Sequence, residues 1–209
     1  AQTTMNFESW TGTGAAIEPS GWISENALTG LPGNAQSAFQ DTVPNIHGGT
    51  YALKLVSVDM AINPAPASLP DPIGLAATGN LAGTSLKFGF PYTGRPAMVD
   101  FWYKYTPTSS GDTASFFMAL WNGTTGDTVS YGFWKSGTTV GSYTQQSVVL
   151  THDPAFLNVT PDSMAIMFSS TRLFNPDYSF CLNCGKAGSI LWVDDITFSG
   201  TSGIKENLH

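Results

Sequence analysis

The chain has 209 residues, of which 12% are aromatic and only 11% are charged, and its net charge is -7. With 8 cationic side chains in an acidic chain, a phosphate-binding surface is not expected, so nucleic acid is excluded as a partner. No apolar stretch approaches the roughly 18 residues of a membrane-spanning helix. The 22 glycines and 13 prolines favour strands and turns over long helices.

The start of the sequence predicts export, and export in turn bears on the state of the cysteines. The chain begins with Ala1 and has no apolar leader, as expected for a mature end left by removal of a signal peptide. Its two cysteines, Cys181 and Cys184, lie in a polar stretch, and in an exported protein such a pair is more often oxidised than free. Zinc is not expected, because no second pair or suitably placed histidine accompanies them. We therefore expect an extracellular or cell-surface location.

The secondary-structure pattern predicts strands throughout the chain. The candidate strands are residues 4–9, 50–58, 84–88, 97–106, 114–122, 129–135, 144–151, 163–170 and 189–198. No segment keeps a 3.6-residue apolar period over three turns, so long helices are not predicted. Residues 60–84 are rich in Pro, Ala and Gly and are predicted to form a long loop with at most one short strand. The pattern predicts one all-β sandwich over residues 1–199, and a disordered tail or linker over residues 200–209.

The most distinctive segment lies in the middle of the chain. Residues 89–96 read Gly-Phe-Pro-Tyr-Thr-Gly-Arg-Pro, and a strand with aromatic residues at alternate positions follows. This segment resembles the "putative carbohydrate metabolism domain" of Bacteroidota surface proteins, and residues 7–199 are compatible with that family. Residues 203–208 are similar to the junction before the C-terminal sorting domain of type nine secretion substrates. The two resemblances imply a secreted or surface-attached protein, with a sorting domain that this sequence does not contain.

The ends of the chain carry a further resemblance. Residues 6–9 (Asn-Phe-Glu-Ser), the pair Gly21-Trp22 and residues 194–196 (Asp-Asp-Ile) are arranged as in jelly-roll carbohydrate-binding modules. The resemblance implies that the sandwich is a jelly roll.

The same resemblance implies a structural calcium site. Calcium takes six to eight oxygen ligands, and here they would include Glu8, Asp194 and backbone carbonyls around Gly49. Asp194 alternates with the apolar Ile196, so it is expected to point inward, where a carboxylate needs a partner, whereas Asp195 is expected outside. The alternative is that both carboxylates only form hydrogen bonds with backbone or hydroxyl groups.

Aromatic side chains are the candidate ligand contacts. A pyranose ring has an apolar C–H face and a rim of hydroxyls, which suit a flat aromatic ring flanked by a few polar groups. Trp102 has Lys104 on its own side of the strand, which indicates the open face of the sandwich. Trp121 and Trp134 flank polar turns, and Tyr131 lies in the same region. The alternative for each ring is ordinary core or edge packing.

Catalysis is not the favoured interpretation. Glycoside hydrolysis needs two carboxyl groups facing each other across a cleft, and of the 15 acidic residues only Asp100 lies in the distinctive strand. No Ser-His-Asp signature, nucleophile elbow or zinc-ligand spacing occurs. Arg95 lies between Gly94 and Pro96, and we expect a carboxylate or turn carbonyls to hold it.

Four positions match the Asp-(Ser/Thr)-small-apolar pattern at which members of this phylum attach O-glycans. They are Thr42, Thr113, Thr128 and Ser163. All four lie near predicted turns, where a bulky glycan is tolerated. The alternative is that Asp-Thr pairs simply begin turns and strands.

These features together predict an exported glycan-binding module, at the cell surface or in the secreted fraction, with a structural calcium ion. Its expected partner is a polysaccharide or other glycan, and the outer-membrane secretion machinery and other surface proteins are further candidate partners. The first alternative is a glycoside-processing enzyme. The second is a structural or adhesin module that contacts other surface proteins.

Overall fold

A computed structural model describes residues 5–28, 35–60, 70–82, 85–175 and 179–201. Apart from strands, the regular structure of this part of the chain consists of the 3-10 helices Gly14–Ala16, Glu25–Leu28 and Pro154–Phe156. Across these ranges, no helix has the length and apolar character needed to cross a membrane.

The strands of the described residues are numbered in chain order. They are β1 (Trp10–Thr11), β2 (Glu18–Pro19), β3 (Trp22–Ser24), β4 (Ala38–Asp41), β5 (Ala52–Val56), β6 (Leu75–Ala82), β7 (Ser85–Phe88), β8 (Phe90–Pro91), β9 (Pro96–Thr106), β10 (Ala114–Trp121), β11 (Thr128–Ser136), β12 (Val140–Val149), β13 (Thr151–His152), β14 (Ser163–Ser169) and β15 (Ile190–Thr201).

Most of these strands belong to two antiparallel sheets. The five-stranded sheet has the order β12-β9-β15-β5-β4. The eight-stranded sheet has the order β13-β11-β10-β14-β6-β3, with β7 paired to β6 and β8 paired to β14, while β1 and β2 pair separately. Neighbours such as β9 and β15 are far apart in the sequence, as the long connections between Greek-key strands require. The chain is an all-β jelly-roll sandwich, as predicted.

The core lies between the sheets and follows from the two-residue period of the strands. Phe101, Tyr103 and Tyr105 of β9 are buried in the core, whereas Trp102 and Lys104, which alternate with them, point the other way. The Phe101 ring centroid lies 5.0 Å from that of Phe116 in β10 and 5.0 Å from that of Phe168 in β14. Side chains of the opposite parity therefore form an outer face on each sheet.

The prediction for residues 60–84 was wrong in its second half. β6 is a strand of 8 residues between β14 and β3, and residues 61–69 lie outside the described part of the chain. Residues 75–79 are all buried. Because both faces of this stretch are covered, its small residues show no polar–apolar alternation that would mark a strand.

The predicted first strand was also wrong, because β1 begins only at Trp10. Phe7 has a φ of 55°, in the left-handed region, and its carbonyl accepts a hydrogen bond from the Trp10 indole nitrogen at 2.5 Å. This kink places the Phe7 ring in the core, with its centroid 5.3 Å from that of Trp22. β2, β3, β4 and β8 had no predicted counterpart, whereas the other predicted strands match observed ones to within a few residues.

Candidate functional site

The outer face of the five-stranded sheet carries a row of alternating aromatic and basic side chains. The strand register places Phe39 beside Lys54, Lys54 beside Trp192, and Trp192 beside Lys104. Tyr143 of β12 completes the row beyond Lys104. All five side chains are half-buried. We call these five residues the aromatic–lysine row.

Cation–π contacts connect the members of this row. Lys104 Nζ lies 4.7 Å from the Trp192 ring centroid and 5.6 Å from the Tyr143 centroid. Lys54 Nζ lies 5.9 Å from the Trp192 centroid and 5.6 Å from the Phe39 centroid. At such distances an ammonium is attracted to the negative face of a ring. The row is therefore ordered by contacts within the sheet face.

Hydrogen-bonding groups surround the rings. The Trp192 indole nitrogen donates to Asp41 Oδ2 at 2.8 Å, and Lys104 Nζ donates to Asn45 Oδ1 at 2.8 Å. Within the described ranges, no acceptor forms a hydrogen bond with Lys54 Nζ, so this ammonium offers its donors to solvent or to a ligand. The face thus combines flat rings with polar donors and acceptors.

Residues 42–51, between β4 and β5, fold over one end of the face. The His47 ring stacks on the Trp102 ring with a centroid distance of 3.9 Å and an interplanar angle of 13°. The Tyr143 hydroxyl donates to the Asn45 carbonyl at 2.9 Å. Because the His47 ring covers the indole, Trp102 closes one end of the outer face, and its ring is not open for stacking on a ligand.

Asp194 is fully buried, but not for the reason that the alternation suggested. A bulge between Asp194 and Thr197 interrupts β15, and within it Asp195 has a φ of 45°. Val193 and Ile196 are both buried in the core, so the inward parity changes across the bulge. Asp194 therefore lies on the outer face of the sheet, whereas Ile196 points into the core.

The loop covers Asp194 and supplies its hydrogen bonds. Asp194 lies opposite Trp102 in the register, and its Oδ2 accepts bonds from the backbone N–H groups of His47 at 2.9 Å and Gly48 at 3.2 Å. Burial raises the pKa of Asp194 to about 6, against the opposing effect of these two donors. Asp195 is half-buried, and its Oδ2 lies 2.7 Å from His47 Nδ1.

Glu8 reaches the same loop. Its Oε1 accepts hydrogen bonds from the backbone N–H groups of Thr50 at 2.8 Å and Tyr51 at 3.0 Å. Gly49 has a φ of 64°, and a Cβ added there would lie 2.1 Å from Glu8 Oε1. The close approach of the carboxylate therefore requires glycine at this position.

Glu8 and Asp194 fit calcium in the kind of donor they offer, since both are carboxylates held against one loop. In the structure, their oxygens accept hydrogen bonds from backbone N–H groups of the loop. This is the arrangement that was considered as the alternative to a metal site. The described residues contain no cluster of three His, Cys, Asp or Glu side chains suited to a metal. Backbone carbonyls would have to supply the remaining ligands.

The other three predicted ligand contacts lie elsewhere. Trp134 packs against the core, with its ring centroid 4.8 Å from that of Tyr103. Trp121 covers Gly89, where an added Cβ would lie 2.5 Å from the indole. Tyr131 is 39% exposed on the outer face of the eight-stranded sheet. The structure does not bring these three residues together with Trp102.

Trp192, the central ring of the row, was missed by the sequence analysis. The signal was present, because Leu191 and Val193 are apolar and fully buried on either side of it. Strict alternation through this stretch places Trp192 on the outer face. The parity of Asp194 and Ile196, on which the prediction for this strand rested, is misleading because the bulge between Asp194 and Thr197 changes it.

Arg95 is held by carbonyl groups, as predicted. Its guanidinium donates to the carbonyls of Leu157 at 2.6 Å and Phe156 at 2.6 Å, and also to that of Val159. These carbonyls lie just after β13 rather than in the turn around Arg95. The contacts give Arg95 a structural role.

The predicted modification sites differ in accessibility. Thr42 and Thr128 are exposed, whereas Thr113 and Ser163 are half-buried. The Ser163 hydroxyl donates to Asp162 Oδ1 at 2.7 Å. O-glycan attachment stays a prediction, and the first two positions are the more accessible.

Comparison with known proteins establishes the fold but no family. No family model and no curated protein matches the sequence. A Bacteroides thetaiotaomicron structure described as a "putative glycoside hydrolase" matches 97% of this chain and 72% of its own, with 20% identity and a TM-score of 0.66. A Bacteroides vulgatus structure with the same description matches 93% of this chain and 96% of its own, with 16% identity and a TM-score of 0.61. A family 28 carbohydrate-binding module, with 14% identity and a TM-score of 0.48 over 94% of this chain and 92% of its own, is too distant to support a conclusion.

Proposed function

We propose that the protein is an exported glycan-binding module that contacts its ligand through the outer face of the five-stranded sheet. The observation that carries this proposal is the aromatic–lysine row. Aromatic rings bind the apolar C–H faces of sugars, and ammonium groups between them donate hydrogen bonds to hydroxyls. The row has one member on each of the five strands of the sheet.

The acidic groups near this face favour binding over hydrolysis. Asp41 holds the Trp192 indole, and Asp100 accepts hydrogen bonds from the hydroxyls of Ser147 and Ser199. A catalytic pair must instead present one carboxylic acid and one carboxylate to the scissile bond. A glycoside-processing enzyme and an adhesin module stay as alternatives, and the experiment below distinguishes them from a binding module.

The calcium ion is part of the proposal. It would be bound by Glu8, Asp194 and carbonyls near Gly49, and it would fix residues 42–51 at the end of the aromatic–lysine row. The placement of carboxylates from both ends of the chain on this one loop supports it. Bound calcium would supply charge compensation for two carboxylates and rigidity for the loop.

Export to the cell surface completes the proposal. The resemblances of residues 89–107 and 203–208 to Bacteroidota surface proteins and type nine secretion substrates support it. O-glycosylation at Thr42 and Thr128 would be compatible with this location, because both side chains are exposed.

A glycan array followed by calorimetry tests the function. We expect binding without release of reducing ends, and we expect Trp192→Ala to abolish it at a melting temperature that still indicates a folded protein. Tyr131→Ala, which removes an exposed ring from the opposite sheet, is the matched control and should bind normally. Release of reducing ends would support the enzyme, and neither binding nor release would support the adhesin module. Binding lost only in Tyr131→Ala would move the site to the other sheet.

A further inference from the structure

The strand β12 forms one edge of the five-stranded sheet, where β9 is its only partner among the described strands. It has 10 residues, whereas the other described edge strands, β3, β4, β7, β8 and β13, have between 2 and 4. Proteins protect a strand edge by keeping it short or by placing charges, prolines or bulges along it. Residues 140–149 contain no charged residue and no proline, and the one register shift of β12 lies at its start, between Val140 and Thr144. The rest of the strand is therefore open to pairing with another strand.

The hydrogen bonds to β9 identify the backbone groups that are available. The Leu150 N–H, directly after β12, donates to the Ala97 carbonyl at 2.9 Å. Because the backbone groups of successive residues in a strand point to opposite edges, every second residue before Leu150 directs its N–H and C=O toward β9. The residues that direct these groups away from β9 are Gln145, Ser147 and Val149.

A second β12 is complementary to this edge. Two copies related by a two-fold axis through Gln146 pair antiparallel, with Gln145 of one copy opposite Ser147 of the other. These two residues then exchange N–H···O bonds through their available groups, and an amide side chain faces a hydroxyl. Val149, which is 74% exposed, lies beside Tyr143 of the second copy, and aromatic–β-branched pairs stabilise neighbouring strands.

The charge of the chain also favours this edge for contact between two copies. Each copy has a net charge of -7, so two copies repel one another over most of their surfaces. Along β12 they can approach without placing charged side chains of the strand against each other.

We propose that two copies of the chain associate through β12, so that their five-stranded sheets join into one. The two-fold axis runs perpendicular to the joined sheet, so both outer faces, each with its aromatic–lysine row, lie on the same side. The association does not depend on glycan binding. One pair of strands is smaller than the interfaces of about 1,200–2,000 Å² in stable complexes, so the dimer is weak and depends on concentration.

Sedimentation velocity tests the association. The wild-type chain should show a monomer–dimer equilibrium at concentrations up to about 1 mM, and added salt should strengthen it by screening the repulsion. Gln145→Pro removes an N–H that β9 does not use, and it should raise the dissociation constant at least about tenfold. Gln145→Ala keeps this N–H and is the matched control, which should dimerise like the wild type. A monomer at every concentration, or a dimer that Gln145→Pro leaves intact, would overturn the proposal.

Cysteine cross-linking tests the pairing without the use of proline. In Gln146→Cys, the two cysteines face each other across the axis at a position without mutual hydrogen bonds, where Cα atoms lie about 4.5 Å apart and a disulfide can form. In Val149→Cys, each cysteine lies three residues from the axis, so the two are about 20 Å apart. Under mild oxidation, Gln146→Cys should form a covalent dimer on a non-reducing gel, whereas Val149→Cys should stay monomeric despite its greater exposure. Cross-linking of Val149→Cys alone, or of neither variant, would contradict the proposed dimer.

Discussion

The two outer faces of the sandwich both carry aromatic rings, but they differ in what surrounds those rings. On the five-stranded sheet, lysines separate the rings of the aromatic–lysine row and polar groups lie at its margins. On the eight-stranded sheet, Phe117 and Phe133 have ring centroids 5.8 Å and 5.7 Å from that of Phe174, which stacks on Phe180 at 5.4 Å. There the aromatic rings contact mainly one another.

The eight-stranded face is covered by part of its own chain. Leu173 joins a second apolar cluster beside the main core, and a disulfide between Cys181 and Cys184 closes the end of this segment. Aromatic content alone therefore does not identify a glycan site. The combination of rings with hydrogen-bonding groups is what distinguishes the five-stranded face.

The largest expected effect is on stability and comes from the eight-stranded face. Phe174→Ala removes the ring that contacts Phe117, Phe133 and Phe180, and we expect it to lower the free energy of unfolding by about 3 kcal/mol. Glycan affinity of the folded fraction should not change. Urea unfolding and calorimetry measure the two quantities, and a loss of affinity without a loss of stability would reverse the roles assigned to the faces.

The next effect concerns Glu25, which is buried beside the eight-stranded sheet. Its Oε2 accepts hydrogen bonds from the Ser37 hydroxyl at 2.5 Å and the Leu75 backbone N–H at 2.9 Å, and burial raises its pKa from 4.5 to about 7. The folded protein therefore retains a proton that the unfolded chain releases. The stability from this group is fully present below pH 4.5 and is lost as the pH rises through about 7.

Glu25→Gln isolates this pH dependence. Relative to the wild type, the variant should gain roughly 3 kcal/mol of unfolding free energy between pH 4.5 and pH 8. Glycan affinity should stay the same, because Glu25 lies away from the aromatic–lysine row. Parallel pH profiles for the two proteins would show that Glu25 does not titrate in this window, and the assignment would then fail.

The comparison also shows what could be predicted from the sequence. β9 and β10 follow from regular alternation, because each has one face in the core and one face outside. β6 could not be predicted in this way, because it is covered on both sides. The bulge at Asp194 goes with hydrogen bonds from residues 42–51. The local sequence around Asp194 does not predict these bonds.

The candidate site was predicted only in part for the same reason. Trp102 and Lys104 were placed on the correct face from their parity alone. The row could not be assembled, because its members come from five strands whose order is set by the jelly-roll connections. The stacking of His47 on Trp102 could not be predicted either, since the two residues are 55 positions apart in the sequence.

Calcium provides the third test, because its proposed site lies on the five-stranded side only. At 100 times its dissociation constant, calcium adds about 2.7 kcal/mol if it binds only the folded state. Chelation should therefore lower the melting temperature by roughly 5–10 °C. Asp194→Ala and Glu8→Gln should each abolish this sensitivity, whereas Asp100→Asn should retain it. A native protein whose melting curve ignores the chelator would rule the ion out.

The smallest expected effect separates the two roles of Lys104. Lys104→Met keeps the length and apolar stem of the side chain but removes the charge over Trp192 and the bond to Asn45. We expect a loss of about 1 kcal/mol in stability, since cation–π contacts at half-exposed sites contribute about that much. If Lys104 also donates to a sugar hydroxyl, affinity should fall as well, although the rings remain.

Lys87→Met is the matched control for this substitution, because Lys87 is an exposed lysine outside the row. It should change neither stability nor affinity. Calorimetry at two salt concentrations adds a further distinction, since a direct hydrogen bond to a neutral sugar depends little on ionic strength whereas long-range attraction is screened. If Lys104→Met loses stability but keeps full affinity, the lysines only order the rings, and stacking on Phe39, Trp192 and Tyr143 accounts for binding.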